Sequence, residues 1–126
     1  MILHMLKSKI HRARVTDANV DYEGSLSIDR ELMDAVGMLP YERILCTNAS
    51  NGARFETYAI PAEPGLRQIV LNGAAAYQGR PGDRLTIMSF AEVAAAEVEA
   101  FRPRVIVFGT GDGDYSVRES CAAAGA

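Results

Sequence analysis

The stretch NVDYEGSLSID, residues 19–29, decides how the chain is read. Its second half, SLSID, alternates Leu26 and Ile28 with Ser25, Ser27 and Asp29, the period of a half-buried strand. Gly24 and Ser25 stand at the entrance to that strand, where a Gly-Ser pair ordinarily makes a turn. Asp29 ends the strand and can cap a short helix over RELMDAVGM. In that helix Leu32, Met33 and Val36 share a face, and Gly37 stands at the C-cap.

Upstream, Lys7 to Val15 reads as an extended strand, with the loop TDAN between Val15 and Val20. Downstream, ERILCTNASNGARFETYAI reads as a hairpin turning at Asn51-Gly52, since both residues accept positive φ. Its second strand puts Phe55, Thr57 and Ala59 on one face and Arg54, Glu56 and Tyr58 on the other. LRQIVLNG is a further strand, AAAYQG a single helical turn, and RPGD a loop leading into the strand RLTIMSF. AEVAAAEVEAF favours helix by composition, Pro103 stops it, and RVIVF is a last buried strand. From Gly109 the chain is glycine-rich and unpatterned, which predicts a mobile tail over 109–126. About six or seven short strands and two short helices, evenly punctuated by turns, predict one small mainly β barrel over residues 1–108.

With 126 residues, 48% hydrophobic and 23% charged, the chain has ordinary globular composition, and oligomerisation would add burial to so small a core. A net charge of −3 speaks against a nucleic-acid binder that works by neutralising phosphates. There are eleven arginines but only two lysines, Lys7 and Lys9, so chemistry that needs an amine must use one of them. Cys46 and Cys121 match no metal spacing, which predicts a reduced, cytoplasmic setting. No run reaches membrane-spanning length, and MILHMLKSKIH lacks the features of a signal peptide. His4 and His11 have no acidic or cysteine partner at ligand spacing, so both read as structural and no metal is expected. GDGD at 111–114 lacks the bidentate Glu of a calcium loop, and there is neither a P-loop nor a dinucleotide fingerprint.

Four features could carry chemistry. Lys9 and Arg54 could hold the two carboxylates of a small diacid. Tyr58 could deliver a proton to a carbanion. LNGAAA, beginning at Leu71, has small residues that let a ligand approach backbone N–H groups. Finally, a bent backbone would let the Ser25 hydroxyl attack the Gly24 carbonyl, and elimination with loss of ammonia would leave a pyruvoyl ketone on residue 25. Such a ketone forms a Schiff base with an amino acid and acts as an electron sink, the role PLP plays elsewhere. Each feature also has a plain structural reading: solvated cations, a sheet tyrosine, a strand-to-helix joint and a turn.

The ordered set MLKSKIHRARVTDANVDYEGSLSID, NGARFETYAI, LNGAAA and GDRLTIMSFA resembles the pyruvoyl-dependent aspartate 1-decarboxylase family of pantothenate synthesis, from Met1 to Phe108. The resemblance implies a six-stranded double-psi β-barrel assembled as a homotetramer. It implies self-cleavage between Gly24 and Ser25 and a covalent pyruvoyl group from Ser25, with no PLP and no metal. It also implies that Lys9 and Arg54 bind substrate carboxylates, that Tyr58 donates the proton, and that Thr57 assists cleavage at the Gly24 carbonyl. Tyr22, Asn72, Gly73, Ala74 and Ala75 would line a site between subunits. The implied reaction takes L-aspartate to β-alanine and carbon dioxide. Two positions depart from the family: Thr47, where tryptophan is frequent, and Thr86, where a branched apolar residue is usual. Both border the implied pocket, so a longer acidic amino acid such as glutamate is the alternative substrate. A barrel that binds small acids without catalysis is the alternative of another class. Whether an accessory protein assists maturation is not written in the sequence.

Overall fold

Alternation governs the long strands. In RILCTN, Ile44 and Cys46 turn inward, and in RLTIMSFAEVA Leu85 and Ile87 do the same, each with at most 1% of its surface exposed. The computed structural model describes residues 1–109 and 114–119. Its elements are β1 Ile2–Arg14, β2 Asp17–Asn19, β3 Ser25–Asp29, α1 Arg30–Val36, β4 Arg43–Asn48, β5 Arg54–Ala62, β6 Ile69–Asn72, β7 Arg84–Ala94, β8 Arg104–Phe108 and β9 Tyr115–Arg118. Short 3-10 helices cover Gly73–Gln78 and Ala95–Ala100. The expected mainly β fold with short helices is present, with more strands than the six or seven expected.

The strands form one sheet in the order β2-β6-β3-β5-β4-β7-β1-β8-β9. β1–β8, β2–β6 and β3–β5 are parallel, and the other pairs antiparallel. The sheet curls so that its two ends approach: the Arg67 guanidinium, just before β6, lies 5.2 Å from the ring centroid of Tyr115 on β9. Ile10, Leu26, Ile28, Ile44, Leu71, Leu85, Ile87 and Ile106 meet in one core.

Three expectations are corrected. The 109–126 segment is not wholly without structure, because Tyr115–Arg118 pairs antiparallel with β8. Tyr115 anchors this strand by packing edge-on against Phe108, 5.5 Å between centroids. Residues 110–113 and 120–126, including Cys121, lie outside the described residues. The alanine-rich stretch after Phe90 is not a regular helix, because β7 continues through Ala94 alongside β1, and pairing overrides composition. The β4–β5 turn is wider than two residues: Asn48 N–H donates to the Ala53 carbonyl at 2.9 Å, and only Gly52 adopts positive φ there, at 79°.

Asp29 fastens β3 at its far end. It is fully buried and caps α1 by accepting from Glu31 N–H at 2.8 Å. It also accepts from Gly65 N–H at 3.0 Å, Arg67 N–H at 2.6 Å and the Arg67 guanidinium at 3.4 Å. Burial alone would raise its pKa, but the Gly65, Arg67 and Glu31 amides together with the Arg67 side chain outweigh it and hold the carboxyl below its ordinary 3.8. The folded pKa lies below the unfolded one. The stabilisation is therefore complete above the unfolded value and is lost as pH falls through the folded value. Asp29→Ala removes the cap and leaves the part-buried Gly65 and Arg67 amides without their acceptor, and should cost about 2 kcal/mol in urea denaturation at pH 7. The gap between wild type and Asp29→Ala should narrow as the pH is taken below about 4, which denaturation at stepped pH reads directly.

Candidate active site

Ser25 opens β3, and alternation places it with Ser27 on the face opposite Leu26 and Ile28. It is nevertheless fully buried. Its hydroxyl donates to the Glu23 carbonyl at 3.1 Å and accepts from Asn72 Nδ2 at 3.0 Å. The second hydrogen of that amide goes to Ser27 Oγ at 2.8 Å. Asn72 reaches both serines because it lies directly opposite Ser25 in the β3–β6 ladder. The serine hydroxyl is thus held on both its donor and acceptor sides, next to the carbonyl of an exposed Gly24.

Gly73 makes this packing possible. It adopts φ 66°, and a Cβ built on it would stand 2.6 Å from Gly24 Cα, 2.7 Å from Gly24 N and 3.0 Å from the Tyr22 carbonyl oxygen. Only glycine permits both the backbone conformation and the approach. Ala75 packs against the core, Ala74 is exposed, and Tyr22 is half exposed above the Gly24 turn.

β5 supplies the other side. The parallel register begins with Leu26 opposite Ala59, so Thr57 and Tyr58 lie on β5 just before the first pair, as Gly24 and Ser25 do on the neighbouring stretch of chain. Tyr58 shares the outward face with Ser25 and tilts against Tyr41, 6.5 Å between ring centroids. The Thr57 side chain makes no hydrogen bond among the described residues, and the residue is opposite Ile44 in the β4–β5 ladder.

The remaining candidates form a second group on the outward face. Arg54 is opposite Thr47, Thr47 is opposite Thr86, and Thr86 Oγ1 lies 3.0 Å from His11 Nδ1. Lys9 lies opposite Met88 and Val105 on the strands flanking β1. Lys7 is committed to Glu42 at 2.7 Å, whereas Lys9 has no ion pair among the described residues. Lys9 and Arg54 share this face but stand three strands apart, roughly 14 Å along the sheet. Arg54 is four residues from Tyr58 along β5, roughly 13 Å. One chain therefore presents two groups: Tyr22, Gly24, Ser25, Thr57, Tyr58 and Asn72 to Ala75 in one, and Lys9, Thr47, Arg54 and Thr86 in the other.

Sequence reasoning overlooked His11, Arg12 and Arg118, which gather around Lys9. His11 read as structural because ligand partners were sought by spacing, and its neighbours come from β7 and β9 instead. Burial, followed by the charges of Lys9, Arg12 and Arg118, holds its pKa below 6.5. Cys46 is inert: burial pushes its thiol up to about 12. Among the described residues no group of three or more His, Cys, Asp or Glu could hold a metal, and no helix is long and apolar enough to cross a membrane.

Gly73→Ala should force Gly24 away from the 3-10 helix and lower the thermal midpoint by about 5 °C, read by calorimetry, from the cost of positive φ and the backbone clash. A Tyr22→Ala change, which removes a half-exposed ring, should leave the midpoint within about 2 °C.

The chain is similar to known proteins over most of its length. Residues 1–113 match the Aspartate decarboxylase family. The chain is 50% identical over 107 residues to an aspartate 1-decarboxylase of Prosthecochloris aestuarii, covering 85% of this chain and 83% of the relative. It is 51% identical over 107 residues to that of Chlorobium chlorochromatii, with the same coverage of both chains. It is 49% identical over 106 residues to that of Salinibacter ruber, covering 84% of this chain and 73% of the relative. With the match reaching from Met1 through β8, the chain belongs to the aspartate decarboxylase family.

Proposed function

We propose that this protein decarboxylates L-aspartate to β-alanine and carbon dioxide, for pantothenate synthesis, after it has cleaved itself between Gly24 and Ser25. The observation that carries this reading is the buried Ser25 hydroxyl, held by Asn72 and the Glu23 carbonyl beside a glycine that Gly73 alone allows to sit there. In the cleavage, Oγ adds to the Gly24 carbonyl carbon and the Gly24–Ser25 C–N bond breaks, giving an ester and a free amine. Loss of the α-proton of residue 25 expels the Gly24 carboxylate. Water then hydrolyses the resulting enamine to a ketone and releases ammonia. Thr57, whose side chain has no other hydrogen bond among the described residues, is the residue that polarises the attacked carbonyl.

The residues present fit a pyruvoyl group on residue 25: the Asn72 amide already contacts that side chain, and the Gly73–Ala75 turn offers small side chains on one flank. When formed, the group supplies an electron sink for loss of the α-carboxylate. Tyr58, beside residue 25 on the same face, holds the proton that Cα receives. Lys9 and Arg54 bind carboxylates. Tyr22 and the Ala74 and Ala75 flank keep the substrate against residue 25. The reaction uses neither PLP nor a metal, and a reduced cytoplasm suits the two cysteines.

The separation of the two groups on one chain supports a shared site, in which the Lys9 and Arg54 face of one subunit meets residue 25 of another within a homotetramer. A second reading keeps the chemistry and changes the substrate. Thr47 and Thr86, opposite each other, leave short side chains between Arg54 and His11, where glutamate would find more room than beside bulky residues.

Denaturing mass spectrometry of warmed protein should find two chains divided after Gly24; intact chain alone, with acid binding retained, would favour the non-catalytic barrel. Ser25→Ala should stay uncleaved and release no carbon dioxide. Co-expression of Ser25→Ala with Lys9→Gln should restore activity that neither has alone, and failure to do so would confine the site to one subunit. A carbon dioxide assay over L-aspartate and L-glutamate decides the substrate.

A further inference from the structure

The segment after residue 113 lies beyond the family match, yet its strand Tyr115–Arg118 reaches the face that carries Lys9. β8 carries Val105 between Lys9 on one side and Arg118 on the other. Lys9, His11, Arg12, Val105, Val107 and Arg118 line one groove.

Three observations make this groove a built site rather than a chance patch of cations. The first is the backbone of β1. Its register against β7 shifts between Ile10 and Ala13, and Arg12 there adopts φ 68°. A bulge of this kind re-aims side chains, and it brings Arg12 into the groove alongside His11, although consecutive strand residues ordinarily face opposite ways. The second is charge. Among the described residues no carboxylate lines the groove and Lys9, Arg12 and Arg118 have no ion pair, whereas Lys7, Arg30, Arg43 and Arg67 each have one. Three cations converging without a counter-charge repel one another, and an anion in the groove relieves all three. The third is anchorage. Tyr115 ties β9 to Phe108 and Arg67, so Arg118 is delivered by a paired strand rather than by a free end.

We propose that Arg118 is a carboxylate-binding residue of the active site, acting with Lys9 and Arg12 on the carboxylate that the substrate keeps, and so favouring doubly over singly charged acids. This rests on the reading of Lys9 as a substrate-binding cation. Arg118 adds a planar two-pronged donor to the point charge of Lys9.

The test uses succinate and propionate as probes on the full, self-processed protein, by titration calorimetry, with L-aspartate kinetics in parallel. Arg118→Gln should weaken succinate about tenfold, or roughly 1.4 kcal/mol, and propionate much less. KM for L-aspartate should rise by a similar factor with a much smaller change in kcat. Arg118→Lys should recover part of the succinate affinity, and it preserves the charge should the glutamine variant fold poorly. The His11 ring, followed by NMR, should titrate at higher pH in Arg118→Gln, because a repelling cation has gone. Unchanged succinate binding in Arg118→Gln, or equal weakening of both acids, would overturn the proposal. If Lys9→Gln weakens succinate and Arg118→Gln does not, only Arg118 loses its role. If neither does, the reading of Lys9 falls with it.

Discussion

The arrangement hangs on a carboxylate without exposed surface. Asp29 joins the end of β3, the first turn of α1 and the loop before β6 in one set of hydrogen bonds. β3 is therefore fixed in register between β5 and β6. A slip of one residue would turn Ser25 and Ser27 into the core and Leu26 and Ile28 out of it, at a large cost in apolar burial. The position of the Ser25 hydroxyl at one end of β3 is thus set by a buried charge at the other.

Rigidity at residue 25 has a chemical consequence. A serine attacks its own preceding peptide bond only where backbone and hydroxyl are held together, and a free turn would sample that geometry rarely. Here Asn72 holds the hydroxyl, and the absence of a side chain at Gly73 lets the neighbouring backbone press against Gly24. The second group of residues is also set by pairing. Arg54, Thr47, Thr86 and His11 follow one another across β5, β4, β7 and β1, so widening one strand position affects Arg54 at one end of the row and His11 at the other.

Local chemistry made several elements legible in the sequence. The strand SLSID, the Asp29 cap and the apolar face of RELMDAVGM appear as expected, because each depends on residues within a few positions of one another; the strand is not half-buried as its period predicts, since its place between β5 and β6 leaves Ser25 and Asp29 without exposed surface too. The alanine-rich stretch after Phe90 misled, since helix propensity is a small term beside continued pairing with β1. β9 was invisible because four residues of mixed character carry no period, and its anchor, Tyr115 on Phe108 and Arg67, is a contact across the fold.

By itself the sequence determined the strand period, the placement of Gly24-Ser25 at a strand entrance, the scarcity of lysine and the family. These depend on residue type and order alone. Tertiary structure decided that Asn72 grips Ser25, that Gly73 must be glycine because Gly24 presses against it, and that Lys7 is spent on Glu42 while Lys9 has no ion pair among the described residues. It also decided that Arg118 joins Lys9 across Val105. Each of these is a contact between strands far apart in the chain, and only sheet register brings such residues to one place.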